Sequence, residues 1–478
     1  MSTTETSNDP LACGRLERAI RCLILWACLA AASLLPSCGS GSSTPRPEAD
    51  PPPNPVLPAT RTDDWPMYGH DIHRTNCNSA ETSLSSTSVS RLAPAWAFDV
   101  GTNGGPTSSA PVIAGGRVYV GSSVSRGDNY FALDTMTGDL LWSANLGHGS
   151  NRLAEPCGSV GIGSTGAVVP DLLAVGGGDA AYYGLDPSTG AILWRHDLEA
   201  APAGFAWVSP LLANGKAYVG VASACVDPVR GEIRALDAAS GALLAQQFFV
   251  PPGATGASLW NSPALTPGGA TVIVATGNDH GTHGSYEQAV IALDGQTLAP
   301  VQANKQGPTD QNLDFVSTPI LFSDATGQLL VGASQKTGVV YAYEAARIGA
   351  GPIWSRTVGT VIGLSPAYGP PEGDGGTLFF GGTDATGDGQ VHGVDPATGN
   401  DRWPAVNVGV THGNLAVANG LLFVNSGQDG LRIFDAKTGV ALRVLAPSSP
   451  GDAYSGVSVA GGTVYWLSGS VLNAWRLR

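Results

Sequence analysis

Short apolar runs alternate with polar turns along most of this chain, and the alternation recurs as a unit. In the first clear copy, the apolar runs occupy residues 109–113, 118–121, 130–134 and 140–142. Such short runs between turn residues predict short strands. Because each complete copy contains four of them, every copy is expected to form a four-stranded antiparallel sheet, as in a propeller blade.

Each copy carries a polar residue in the tight turn before its fourth run. These turn residues are Asp134, Asp186, Asp237, Asp294, Asp395 and Asp435, with Glu344 and Asn473 in two weaker copies. They recur at intervals of roughly fifty residues, which fall to about forty near the end of the chain. A glycine such as Gly138 or Gly190 follows, so the turn combines a side-chain acceptor with a residue that tolerates positive φ. The sequence therefore predicts these hairpins locally.

The beginnings of the first strands give the number of blades. Ser/Pro-type starts lie near Pro111, Pro210, Pro263, Pro319 and Pro366, and weaker starts lie near Thr165, His412 and Ser455. These eight starts predict an all-β, eight-bladed β-propeller with four antiparallel strands per blade. The last copy lacks its fourth strand, and residues 93–100 have a fourth-strand pattern without a blade of their own. We expect this N-terminal strand to close the ring, with Trp142, Trp194 and Trp403 filling seams between blades.

Composition and charge narrow the possible functions. The chain has 478 residues, including 65 Gly and 34 Pro, which suits a fold with many turns. The repeats predict that residues 64–478 form one closed domain. The formal net charge of −14 argues against nucleic acid or an anionic membrane surface as a partner.

Residues 1–38 are predicted to be an export signal. Arg15, Arg18 and Arg21 precede an apolar run that is short for a membrane span and ends at LeuProSerCys. This ending resembles a bacterial lipobox, which implies lipidation of Cys38; an ordinary cleaved signal is the alternative. Residues 39–63 are rich in Gly, Ser and Pro and are expected to form a flexible tether. The expected location is the periplasm, with a lipid anchor in the outer membrane or at the cell surface.

Export also bears on the cysteines that remain after processing. An oxidising compartment would allow Cys77, Cys157 and Cys225 to form one disulfide and leave one thiol. Cys157 and Cys225 both fall in loops near the predicted blade tops. They are therefore the preferred pair.

Four side chains are candidates for a functional site. The connection into the first strand of a blade and the loop between its second and third strands open on the same face. Trp260 precedes the first strand of blade 4, and Asn278 follows its second strand. Asp314 and Lys336 hold the corresponding places in blade 5. Because the two blades are neighbours, we expect the four side chains to converge near the axis.

The chain resembles the quinoprotein dehydrogenase superfamily, whose propellers carry pyrroloquinoline quinone. The resemblance rests on the AlaxAspxxThrGlyxxxTrp repeat and on the AspTrpProMetTyrGlyHisAsp segment at residues 64–71. It implies that Trp260 lies flat against the quinone, that Lys336 contacts the quinone oxygens and that Asn278 binds calcium. It also implies that Asp314 is the general base, taking the hydroxyl proton of an alcohol while hydride passes to the quinone.

Two features depart from that family's pattern. The family's acidic calcium ligand is expected in the blade 3 loop, but residues 221–231 have Ala and Cys at that place. Asp227 or Glu232 would have to substitute for it. The family's disulfide between adjacent cysteines is also missing, and a Cys157–Cys225 pair would imitate it only across two blades.

The remaining polar candidates are histidines. His280 and His283 follow Asn278 on the same predicted face, where a metal site and solvated loop side chains are the alternatives. His412 begins the first strand of blade 7 and is expected to point into the channel mouth. The sequence has no CysxxCysHis haem attachment motif, so electrons are expected to leave to an external acceptor.

Three functions agree with these observations. The first is an exported dehydrogenase that oxidises a small or polymeric alcohol with pyrroloquinoline quinone and calcium. The second is a non-catalytic scaffold for envelope proteins, because the repeat and the predicted anchor also resemble the propeller lipoprotein of the outer-membrane β-barrel assembly machine. The third is a propeller that binds calcium or carbohydrate at its surface. Long loops at residues 221–231, 278–287 and 366–376 favour the first.

Overall fold

The structure, a computed structural model, describes most of the repeat region. The described residues are 61–101, 108–149, 161–198, 204–223, 229–278, 284, 286–307, 313–359, 365–369, 375–383, 388–409, 411–451 and 454–478. They belong to one compact unit. The predictions that concern Cys38, Cys157, Asp227, His280 and His283 lie outside these ranges, as does that for Cys225.

Eight sheets of antiparallel strands form the eight blades, which confirms the predicted β-propeller. The strands of blades 1 to 4 are Val112–Ala114, Arg117–Gly121, Tyr130–Asp134 and Leu140–Ala144; Ala167–Val169, Leu172–Gly176, Ala181–Leu185 and Ile192–Asp197; Leu211–Ala213, Lys216–Ser223, Glu232–Asp237 and Leu243–Phe248; and Ala264–Leu265, Thr271–Ala275, Ala289–Asp294 and Pro300–Lys305. The strands of blades 5 to 8 are Ile320–Ser323, Leu329–Ser334, Val339–Glu344 and Trp354–Thr357; Ala367–Gly369, Thr377–Thr383, Gly389–Val394 and Asp401–Asn407; Ala416–Ala418, Leu421–Asn425, Leu431–Asp435 and Ala441–Leu445; and Val457–Ala460, Thr463–Ser468, Val471–Leu477 and Leu92–Asp99. Two short strands, Gly204–Phe205 and Cys77–Asn78, extend blades 3 and 7.

The helical content of the described chain consists of short 3-10 turns. They span Val89–Arg91, Pro267–Gly269, Ala345–Ala350 and Gly427–Asp429. Among the residues that the structure describes, no helix has the length and apolar character needed to cross a bilayer.

Ring closure occurs as the sequence predicts. The strand Leu92–Asp99 pairs antiparallel with Val471–Leu477, from Leu92 opposite Leu477 to Asp99 opposite Val471. This pairing gives the last blade its fourth strand from the other end of the repeat region. The two ends of the ring are therefore held together by an antiparallel strand pair, which is irregular only between Pro94 and Trp96.

The repeated Asp/Gly turn of one blade is contacted by the tryptophan of the blade before it. In blade 2, Asp186 Oδ1 accepts the backbone N–H groups of Ser188 and Thr189 at 2.7 and 3.0 Å, and Gly190 has φ of 75°. Trp142 Nε1 donates to the carbonyl of Pro187 at 3.1 Å. A Cβ at Gly190 would lie 2.5 Å from the Trp142 ring, so glycine is needed both for the turn and for the seam.

The same arrangement recurs at other seams. The further tryptophan-to-carbonyl hydrogen bonds are Trp96 to Thr135, Trp194 to Ala238, Trp354 to Pro396 and Trp403 to Ala436. The predicted role of Trp142, Trp194 and Trp403 between blades is thereby seen in their contacts. Buried side chains from adjacent sheets, such as Tyr130 and Leu173, fill the rest of these seams and form the core.

Small polar residues link the first strands around the axis. The backbone N–H of one blade donates to a hydroxyl of the next, in the order Ala110 to Thr165, Thr165 to Ser209, Ser209 to Ser262, Ser262 to Thr318 and Thr318 to Ser365, at 2.8 to 3.2 Å. Each hydroxyl satisfies a buried backbone donor that no strand partner reaches. This explains the small polar residue at the start of the first strand in blades 2 to 6.

Residues 65–78, which we call the axial segment, lie across the first strands of the blades, next to the ends at which these strands turn into the second strands. It makes hydrogen bonds to a residue of seven blades: Ile113, Val168, Leu265, Leu321, Tyr368, Val417 and Val459. Blade 3 is reached by the Arg74 guanidinium, which donates to the Pro210 carbonyl at 3.2 Å. The segment thus closes one end of the central channel, and the opposite end stays available for a site.

Arg74 is completely buried in this segment. Its guanidinium also donates to the carbonyls of Pro263, at 2.8 Å, and of Tyr68. Burial lowers the pKa of Arg74 to about 10 because desolvation disfavours the charged form. The carbonyl oxygens replace the lost hydration of the cation.

Candidate functional site

The structure brings the four predicted site residues together at the open end of blades 4 and 5. Trp260 precedes the strand Ala264–Leu265, and Asn278 follows Thr271–Ala275. Asp314 precedes Ile320–Ser323, and Lys336 follows Leu329–Ser334. The two strand-entry and two strand-exit positions therefore lie side by side, as the blade geometry predicts.

Asp314 is the buried centre of this group. Its Oδ1 accepts the backbone N–H of Asn278 at 2.7 Å, and its Oδ2 accepts from Lys336 Nζ at 2.5 Å. The Asp314 side chain is 2% exposed, whereas that of Lys336 is 31% exposed. The carboxylate is therefore fixed by two blades, and the ammonium group extends from it towards solvent.

The backbone around Asp314 explains why it takes this position. Lys336 N–H donates to the Asp314 carbonyl at 3.0 Å, which joins the entry and exit positions of blade 5. Gly277 stands where a Cβ would lie 2.6 Å from Asp314 Oδ1. A side chain at that position would displace the carboxylate, so glycine permits the contact between the blades.

The Trp260 indole lies next to the ion pair. Lys336 Nζ lies 5.8 Å from the centroid of the Trp260 ring, within the range of a cation–π contact. The neighbouring side chain of Asn261 donates to the carbonyls of Ala275 and Phe315, at 2.9 and 3.1 Å. These bonds fix the backbone beside Trp260 against both blades, and the indole itself is only half-buried.

Trp207 is a member of this cluster that the sequence reasoning missed. Its ring centroid lies 5.1 Å from that of Trp260, with 47° between the ring planes. Trp207 stands three residues before Pro210, as Trp260 stands three residues before Pro263. That shared spacing is the sequence signal that would have revealed it.

His412, on blade 7, lies at the same end of the propeller. Leu265 and Val417 donate equivalent backbone bonds to the axial segment, and Trp260 and His412 each stand five residues before them. The His412 ring stacks on Tyr454 of blade 8, with 4.6 Å between centroids. A second aromatic pair therefore lies across the mouth from blades 3 and 4.

The described side chains do not supply a calcium site. Among the described residues of the cluster, Asp314 is the one carboxylate, and the Lys336 ammonium, 2.5 Å from its Oδ2, opposes a divalent cation beside it. Glu232, a predicted substitute ligand, lies elsewhere: its oxygens accept from Arg234, at 2.7 Å, and from Gln246 in the blade sheet. Within the described ranges, no three His, Cys, Asp or Glu residues cluster as a metal site would require.

The same cluster does fit a planar quinone that carries negative charge. The half-buried indole of Trp260 offers an aromatic face, and the Lys336 ammonium beside it offers a positive charge. Asp314 adds a fixed acceptor at the edge of that surface. These are the three kinds of group that a quinone and an alcohol together require.

Comparison with known proteins agrees with this fold. The family model described as outer membrane protein assembly factor BamB matches residues 85–249, 132–403 and 336–472. A polyvinylalcohol dehydrogenase of Sphingopyxis sp. is 25% identical over 462 residues, which cover 80% of this chain and 69% of that protein. A polyvinylalcohol dehydrogenase of Pseudomonas sp. is 25% identical over 510 residues, covering 89% and 76%.

The fold is also similar to that of a solved enzyme. The structure of a quinohemoprotein alcohol dehydrogenase from Pseudomonas putida HK5 superposes with a TM-score of 0.73, at 16% identity, and covers 87% of this chain and 80% of that one. At this identity the similarity concerns the fold alone.

Proposed function

The chain belongs to the family described as outer membrane protein assembly factor BamB, whose repeats are of the quinoprotein type. From the site of this propeller and its dehydrogenase relatives, we propose that it is an alcohol dehydrogenase that uses pyrroloquinoline quinone. The observation that carries the proposal is the contact of Asp314, Lys336 and Trp260 at one mouth of the propeller. The dehydrogenases among its relatives support it.

Pyrroloquinoline quinone, when bound, supplies a two-electron oxidant. Trp260 presents the ring face against which a planar group packs, and Lys336 Nζ presents positive charge to oxygens at its edge. Asp314 retains acceptor capacity beyond its two contacts, because a carboxylate has about four lone-pair sites. In the proposed reaction an Asp314 oxygen accepts the proton of the substrate hydroxyl, as a general base does.

We propose a polymeric alcohol as the substrate. Support comes from the two relatives named for polyvinyl alcohol, which match 80% and 89% of this chain. Trp260, Asn278 and Lys336, which lie next to the buried carboxylate of Asp314, are partly exposed. In the proposed reaction the substrate hydroxyl approaches Asp314 past these residues.

The proposal also includes export, lipidation of Cys38 and transfer of electrons to an external acceptor. Their support is the sequence of residues 1–38 and the missing haem attachment motif. Calcium binding through Asn278 stays a prediction from the family resemblance, and no step proposed for this chain depends on it.

A scaffold function is the second candidate. It is favoured by the description of the matching family, which names an assembly factor. The two candidates differ in the need for Asp314: a scaffold has no use for a buried carboxylate paired with a lysine at an open mouth. Capture of outer-membrane assembly proteins by a variant that lacks this pair would support the scaffold.

The experiment is a dye-linked oxidation assay with added quinone and polyvinyl alcohol, with a small secondary alcohol as a second substrate. Asp314→Asn is expected to lower the turnover rate by at least about a hundredfold, because general bases contribute on this scale. Asp324→Asn is the matched control: Asp324 caps a turn of the same blade at its other end. Equal rates for the two variants, or no oxidation by the wild type, would overturn the proposal.

A further inference from the structure

Trp207 and Trp260 occupy the same position in neighbouring blades. Ser209 N–H donates to Ser262 Oγ at 2.9 Å, which aligns the two first strands. Each tryptophan stands two residues before its serine. Their backbones therefore enter the propeller in parallel at the mouth, and their side chains meet there.

The two indoles form an open notch. Their centroids lie 5.1 Å apart and their planes meet at 47°, so the rings touch at one side and diverge at the other. Lys336 Nζ lies 5.8 Å from the Trp260 centroid. A planar ligand that packs on the Trp260 ring at the side where the two rings diverge would therefore also meet Trp207.

Glycine in the preceding blade makes room for Trp207. Thr165 N–H donates to Ser209 Oγ at 2.9 Å, which places Gly163 at the position in blade 2 that Trp207 holds in blade 3. A Cβ at Gly163 would lie 2.8 Å from Cδ1 of Trp207. The three closest atoms to such a Cβ all belong to Trp207, so the indole lies directly over this glycine.

The Trp207 ring is also held in place by a second aromatic ring. It stacks on the buried ring of Phe205, with 4.2 Å between centroids and 20° between planes. Phe205 is held by pairing with Ala222 in the extra strand of blade 3. A side chain supported on two sides, with its ring half-buried, loses little conformational entropy when a ligand binds.

We propose that Trp207 is a second aromatic wall of the quinone site, contacting the same planar ligand as Trp260. The inference rests on the proposed function and deepens it, because it assigns a cofactor contact to a residue outside the predicted quartet. Two tilted aromatic surfaces bind a fused-ring ligand more tightly than one does, since each buries a different part of its surface.

Equilibrium dialysis against pyrroloquinoline quinone, with the quinone measured by its absorbance, tests this without relying on activity or on tryptophan fluorescence. Trp207→Leu is expected to raise the dissociation constant about tenfold, whereas Trp207→Phe, which keeps a ring, raises it about threefold or less. Tyr454→Leu is the matched control, because Tyr454 lies across the mouth beside His412. It is expected to leave quinone affinity unchanged.

Gly163→Ala provides a second test. It keeps the Trp207 side chain, but the added methyl group displaces the indole from its position. It is expected to weaken quinone binding and to lower the melting temperature by a few degrees, and it decides the matter if Trp207→Leu does not fold. Wild-type affinity in a folded Trp207→Leu or Gly163→Ala protein overturns the role of Trp207 and leaves the dehydrogenase proposal intact. A wild-type protein that binds no quinone overturns both.

Discussion

Asp314 is held by groups from two different blades, and a single glycine allows this. The N–H of Asn278 reaches its carboxylate because Gly277 has no side chain in the way. Lys336, on the other side, belongs to the same blade as Asp314 and follows its second strand. The site therefore depends on the absence of a side chain at Gly277 as much as on the charges of Asp314 and Lys336.

His392 is a residue whose protonation is expected to weaken the fold. It is buried in blade 6 and stacks on Phe380, with 5.6 Å between centroids, and neither ring nitrogen has a hydrogen-bond partner within the described chain. Burial, and next the positive charge of Arg356, lower the His392 pKa below 6.5, while Asp401, 3.7 Å from its Nδ1, opposes them.

The pH dependence follows from that sign. With its pKa lowered in the folded state, His392 takes up a proton more readily in the unfolded chain. Its contribution to stability is present above pH 6.5 and is lost as the pH falls towards the folded-state pKa. Calorimetry at pH 7 and pH 5 is expected to show a smaller fall in melting temperature for His392→Phe than for the wild type. An equal fall in both would contradict this reading.

At the scale of elements, each blade is joined to the next by a turn and a tryptophan. Sequence alone predicts the turn, because an aspartate acceptor and a glycine at fixed spacing act within a few residues. It also predicts that tryptophans fill seams. It does not reveal that the turn glycine is itself the docking surface, since Trp142 and Gly190 are separated by a whole blade in the chain.

Gly190→Ala and Gly215→Ala separate these two roles of glycine. Both residues have positive φ, of 75° and 73°, but a Cβ at Gly215 meets nothing within 4 Å. Gly215→Ala is expected to lower the free energy of unfolding by about 1 kcal/mol. Gly190→Ala adds a clash with Trp142 and is expected to cost about 3 kcal/mol in total. Urea unfolding measures both, and equal losses would show that the seam tolerates the added methyl group.

At the scale of the whole molecule, one strand completes the ring of blades and one segment covers an end of its channel. The strand Leu92–Asp99 closes the ring at the circumference, and this was predictable because a fourth-strand pattern stood without a blade. The axial segment closes it at one end of the channel. Its irregular path follows from hydrogen bonds to strands that are far away in the sequence, and no local pattern encodes such a path. The sequence therefore predicts the strand that closes the circumference but not the segment that closes one end of the channel.

Arg74 tests how much the axial segment contributes. Arg74→Met removes a buried cation from the carbonyls of Pro263 and Pro210 and leaves these acceptors unpaired. The free energy of unfolding is expected to fall by about 3–5 kcal/mol. Arg195→Met, which removes partly exposed ion pairs with Asp179 and Asp197 and a hydrogen bond to the Tyr183 hydroxyl, is the control and is expected to cost about 1 kcal/mol. A similar small loss in both variants would mean that the segment only covers the channel.

The site shows the same division between local and distant information. Trp260, Asn278, Asp314 and Lys336 were predictable because strand entries and exits of adjacent blades share a face. The ion pair between Asp314 and Lys336 was not predictable, because a 2.5 Å contact depends on the positions of two loops. Trp207 was missed because its blade carries no second polar candidate beside it.

The most direct test of the dehydrogenase account is the absorption spectrum of the bound quinone after a secondary alcohol is mixed with the quinone-loaded protein without an external acceptor. The account predicts that the oxidised quinone spectrum disappears in a single turnover with the wild type and persists with Asp314→Asn, which is expected to retain the quinone. A spectrum that stays oxidised in the loaded wild type, or that disappears equally fast in both proteins, would contradict it.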